Sequence, residues 1–178
     1  MKHQIYTIIL ACIFLSCNQN DTNKMSQEDK FIWNVQMAGY EHNRADQKGE
    51  TDYQNFQKAF DLFPWNKQIK KANKYPDKAS PTITTSDLKN EKVFWISMTE
   101  NGNESGYIIG YIYPKEKKTF LGFGKTKTIR WLEMFTVEDK NKVHELIKLF
   151  FNRDHSSFET SIRKLDDFGQ MESEDLDK

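Results

Sequence analysis

The chain has 178 residues, with 26 Lys or Arg against 26 Asp or Glu and no net formal charge. This length suits one domain with a proper core and is short for two. A charge balance without a concentrated basic footprint excludes a nucleic-acid binder, and two cysteines are too few for a disulfide framework. Stability must come from packing, for which 13 Phe, 7 Tyr and 4 Trp provide large apolar areas.

At the N-terminus, Lys2 and His3 precede an uncharged apolar run from Ile5 to Leu15. A bilayer span needs roughly twenty apolar residues, so this run reads as the hydrophobic part of a secretion signal. Phe14-Leu15-Ser16-Cys17 closes it and resembles the lipobox of bacterial lipoproteins, with Phe14 standing where that family usually has an aliphatic residue. The resemblance covers the first seventeen residues. It implies a signal peptide over 1–16, a diacylglyceryl group on Cys17 and a lipid-anchored life in the cell envelope. Cys12 would leave with the leader, so the mature chain would have no disulfide, no free thiol and no cysteine metal site. The covalent lipid is the only cofactor expected. Asn18 differs from the Asp that resembles an inner-membrane retention signal, which points to the outer membrane, facing the periplasm. Residues 17–25 read as the lipidated cysteine and a polar tether, 26–168 as the domain, and 169–178 as an acidic, solvated tail.

Within the domain, Ser26-Gln27-Glu28-Asp29 resembles a capped helix start. Phe31, Ile32, Val35 and Ala38 would share one helical face ending at Gly39, with Trp33 and Met37 off it. Glu41 to Glu50 is polar and reads as a loop. Tyr53, Phe56, Phe60 and Phe63 recur at spacings of three and four and predict a helix from Thr51 to Phe63, stopped by Pro64. Trp65 to Pro81 is basic, and in a lipid-anchored protein Lys67, Lys70, Lys71 and Lys74 could meet anionic head groups, each adding roughly 1 kcal/mol near the surface. The plainer reading of the same strip is a solvated linker with a partly helical turn, since Pro76 and Pro81 break any long helix.

From Thr82 the period changes. Thr82 to Thr85, Lys92 to Thr99 and Tyr107 to Tyr113 are rich in β-branched and aromatic residues and predict strands, the last ended by Pro114. Thr119 to Phe123 and Thr128 to Thr136 read as two more. In the last of these Ile129, Trp131 and Phe135 alternate with Arg130, Leu132 and Met134, so part of each face is expected to be covered. Thr136-Val137-Glu138-Asp139 resembles a capping box. Val143, Leu146, Ile147, Phe150 and Phe151 then mark the clearest helix of the chain. A break is expected around Asn152 to His155, followed by a helix with Phe158, Ile162 and Leu165 inward, running to about Asp167.

Catalytic signatures are weak throughout. Gly122-Phe123-Gly124-Lys125-Thr126 ends like a phosphate-binding loop, but Thr119 stands where the first glycine should be and a strand follows where a helix is required. His42, His144 and His155 share no metal-ligand spacing. No serine sits in a nucleophile elbow. The expected fold is an α+β domain: an antiparallel sheet of four or five strands, with N-terminal helices and two C-terminal helices on one face. The expected function is a non-enzymatic, lipid-anchored protein-binding module, loosely similar to immunity lipoproteins that neutralise envelope toxins. A cell-wall-active hydrolase and a structural accessory of an outer-membrane complex are the alternatives. Trp33, Tyr40, Trp65 and Tyr75 lie off the strongest apolar faces and are the expected contacts for an unidentified protein partner.

Overall fold

Phe31, Trp33 and Val35 alternate with Ile32, Asn34 and Gln36, and here the period of two prevails over the helical one. In the computed structural model, which describes residues 29–101, 104–118 and 125–173, the segment expected as the first helix is strand β1 (Phe31–Gln36). Trp33, stranded by the helical reading, falls on the same strand face as Phe31 and Val35. The polar stretch after it is not all loop either: β2 (Asp46–Thr51) pairs antiparallel with β1. Its sequence, DQKGET, lacks apolar alternation because β2 is a solvent-facing edge strand.

Two helices follow. α1 (Tyr53–Leu62) starts at Asp52, whose carboxylate accepts from the Asn55 amide at 2.8 Å, and ends ahead of Pro64. α2 (Trp65–Ala72) forms where the sequence suggests a linker. It is tied down at its first residue, for Trp65 is buried and its Nε1 donates to the Phe60 carbonyl at 2.9 Å.

The next four strands form an up-and-down meander: β3 (Thr82–Asp87), β4 (Lys92–Asn101), β5 (Glu104–Lys118) and β6 (Thr126–Val137). β5 runs on through Pro114, past its expected end. Its ladder with β4 stops at the Val93–Ile112 pair, so Pro114 sits where β5 is laddered on one side only, a position that tolerates proline. The strand expected over Thr119 to Phe123 lies outside the described residues, as do Gly122 and Gly124; Thr126 opens β6.

α3 (Lys140–Phe151) is capped by Asp139, which accepts from the Asn141 amide at 2.8 Å. Thr136, the expected cap, belongs to β6. The chain turns at Arg153, in the left-handed region at φ 55°, and Asp154 caps α4 (His155–Ile162). That helix ends well before Asp167. The acidic segment that follows forms β7 (Asp166–Glu172) along β6, through most of what reads as the start of a solvated tail.

The expected fold is therefore corrected. The sheet has seven antiparallel strands, in the order β2-β1-β3-β4-β5-β6-β7, and not four or five. The helices are inserted after β2 and after β6, so none opens the described domain. All four pack on one sheet face, which carries Phe31, Trp33 and Val35 of β1, Ile83 of β3, Phe94 and Ile96 of β4, and Tyr107, Ile109 and Tyr111 of β5. Trp33 meets Phe56 of α1 at 6.0 Å, Phe94 meets Phe150 of α3 at 5.5 Å and Tyr111 meets Phe158 of α4 at 4.9 Å. Burying a large apolar side chain contributes roughly 1.5–3 kcal/mol. This aromatic layer holds the helices down and decides which sheet face is left over.

Candidate functional site

Because side chains alternate along a strand, the residues between the core positions all point to the opposite face. The register aligns them in rows. Ile32, Ser86, Val93, Ile112, Leu132 and Met171 stand side by side across six strands. Asn34, Thr84, Trp95, Gly110 and Met134 form the next row. No helix or strand covers this face among the described residues. Trp95 lies flat across Gly110: a Cβ there would fall 2.0 Å from the indole Cε2. Glycine in mid-strand thus lets a large aromatic ring settle onto the backbone beside it.

Next to Trp95 the face is hollowed into a cavity of about 750 Å³. Residues from all seven strands line it. At about 4.8 Å per strand, the arc from β1 to β6 alone measures roughly 19 Å, so this is a wide trough and not a deep pocket. Ile32, Val93 and Ile112 give it an apolar floor, Leu88, 41 % exposed, adds an apolar lip, and Asn34, Gln47, Thr84 and Ser86 supply uncharged hydrogen-bonding groups. Charge sits at the rim. Glu172 pairs with Lys117 at 2.7 Å, and that hydrogen bond holds its carboxyl below the ordinary value.

A second polar cluster lies on the helix side, between β4, β5, β6 and α4. Glu159 accepts from the Tyr111 hydroxyl at 3.0 Å, and Glu133 from the Tyr113 hydroxyl at 2.7 Å and Arg163 Nε at 3.2 Å. Lys92 also reaches Glu159, at 3.4 Å. Burial, then the hydrogen bond to Glu133, pushes the Tyr113 phenol up to about 12, and burial with the charge of Glu159 pushes Tyr111 up as well. Both phenols stay protonated as donors, and both carboxylates are occupied as acceptors. Beside them Asp87 is fully buried. Burial alone would raise its pKa, but hydrogen bonds from Arg153 and Asn90 outweigh that and hold it low. His155 completes the cluster with both ring nitrogens buried and no hydrogen-bond partner among the described residues, and desolvation lowers its pKa.

Among the carboxylates of this cluster, each already accepts from a donor. The same holds where α3 meets α4. Lys142 Nζ donates to Ser161 Oγ at 2.6 Å, and Ser161 Oγ donates to Glu145 at 2.7 Å. The lysine also pairs with Glu145 at 2.9 Å.

The expected contact residues do not converge. Trp33 packs on the core through Phe56. Trp65 is buried, which removes it from any surface. Tyr40 is half-buried under the Arg44 guanidinium and donates to Asp46 at 3.2 Å, while Tyr75 is 51 % exposed. The sequence points instead to the trough through the second apolar parity of β4 to β6, a signal that suggests a covered face equally well. Lys67, Lys70, Lys71 and Lys74 are all exposed, on α2 and the turn after it. Among the histidines, His144 bonds Gln57 at 2.8 Å and pairs with Asp61, His155 sits in the helix-side cluster, and His42 is exposed. No group of three or more metal-ligating side chains gathers among the described residues. Cys17 lies outside them. No protein-family model, curated protein or solved structure shows significant similarity to this chain.

Proposed function

We propose that this chain is a lipid-anchored envelope protein that binds another protein along the open face of its sheet, as an immunity-type neutraliser of an envelope toxin would. The observation that supports this most is the trough: a broad apolar floor, uncovered among the described residues, with neutral amides and hydroxyls beside it and charged side chains at its rim. Large apolar patches with polar rims mark interaction surfaces. A width of several strands suits an extended or looped segment of a protein better than a small ligand, which prefers an enclosed site. The neutral groups can bond the backbone of such a segment, while the half-buried Val93 and Trp95 offer apolar contact.

Ser86 stands between Ile32 and Val93 in the central row and is partly exposed. Ser86→Arg should fill the trough without touching the core. Calorimetry against the product of an adjacent toxin-like gene should show binding by the wild type and a loss of at least about tenfold, 1.4 kcal/mol, in the variant. Turnover of cell-wall fragments by the purified protein, with no protein bound at micromolar concentration, would replace this reading by the hydrolase.

A further inference from the structure

Lys67, Lys70 and Lys71 lie at helical spacing on the outer side of α2, and Lys74 extends the stripe in the turn that follows. The inner side holds the buried Trp65, Gln68 and Ile69. Neighbouring cations are satisfied: Lys78 pairs with Glu41 at 2.5 Å and Lys140 with Asp61 at 2.6 Å. The four stripe lysines form no ion pair with any described residue. Tyr75, 51 % exposed, adjoins them, since it and Lys71 both approach Gly39. Leu62, 71 % exposed, projects from the last turn of α1.

We infer that α2 docks on an anionic lipid surface and presents the trough away from the bilayer. Four ammonium groups on one face, unpaired among the described residues, complement lipid phosphates and carboxylates, and an exposed Tyr beside them suits the head-group boundary. The orientation follows from the fold. Trp65 meets Tyr107 on the helix-covered face at 5.7 Å, so the outer side of α2 and the trough lie on opposite sides of the molecule. Eleven residues lie between Cys17 and Asp29. Fully extended they reach up to about 40 Å, against roughly 33 Å for the ten residues of β4, so the anchor permits this pose.

This inference rests on the lipoprotein reading, and one experiment separates the two. The full chain, processed in a bacterial host, is reconstituted into phosphatidylcholine vesicles with or without phosphatidylglycerol. Acetylation rates of individual lysines are then read by mass spectrometry, and the N-terminal peptide reports whether Cys17 carries lipid. With phosphatidylglycerol, Lys67, Lys70, Lys71 and Lys74 should react several-fold more slowly than Lys127 at the trough, and high salt or omission of the anionic lipid should abolish the difference. Lys70→Glu with Lys74→Glu should return Lys67 and Lys71 to the rate on neutral vesicles. Equal rates on both vesicles in a lipidated chain, or protection of Lys127 instead, would overturn the docking and leave the anchor intact. Protection by soluble heparin but not by phosphatidylglycerol would reassign the stripe to an acidic macromolecule, and an unlipidated chain that never joins either vesicle would overturn both readings.

Discussion

His155 shows how a single residue can carry a cost that its neighbours offset. Its ring feels the charges of Lys92 of β4, Asp87 of β3, Arg153 and Glu159, and burial without a hydrogen-bond partner among the described residues disfavours its charged form. Its folded pKa lies below the ordinary 6.5. The unfolded chain therefore takes up a proton that the folded chain refuses. This contribution to stability is complete above about pH 6.5 and is eroded as the pH falls towards the folded value. His155→Leu keeps the packing and removes the titration. Urea midpoints compared at about pH 7.5 and 5.5 should fall more for the wild type than for the variant, and identical falls would show that His155 charges freely in the folded protein.

At the scale of elements, legibility followed burial. The α1 and α3 stripes were readable because one face of each is buried and the other solvated, as Phe56, Phe60, Val143 and Phe150 show. β1 is ambiguous because Phe31, Ile32 and Val35 fit a helical face while Phe31, Trp33 and Val35 fit a strand face, and its two strand neighbours decide between them. β2 and β7 were invisible for the opposite reason. β2 has no apolar residue, and in β7 Phe168 and Met171 are more than half exposed, so neither edge strand leaves a burial pattern, and backbone pairing with a few side-chain bonds orders them. The trough was half legible: its apolar residues were evident in β4 to β6, but one strand's alternation does not say whether a second layer covers it. β7 gives this account a direct check. A chain ended after Leu165 would leave Trp131 to Thr136 of β6 as an open edge. It should unfold at lower urea and self-associate on size exclusion, whereas an unchanged midpoint and a monomeric peak would mean that β7 contributes no pairing.

For the whole molecule, one sheet separates two unlike faces. The helix face is filled by an aromatic core and a polar network in which Glu133, Glu159 and Asp87 are bonded while the buried His155 has no partner among the described residues. The other face holds apolar side chains in register with nothing described above them, and α2 carries its unpaired lysines on the far side from it. On the proposed function, the partner binds in the trough. Isoleucine methyl NMR tests it most directly, because the probes fall on both faces: Ile32 and Ile112 in the trough, and Ile83, Ile96, Ile109 and Ile147 in the fully buried core. On titration with the bound protein, Ile32 and Ile112 should shift and broaden while the core methyls stay in place. Unmoved trough methyls in a complex that calorimetry shows to be saturated would place the partner elsewhere and contradict the account.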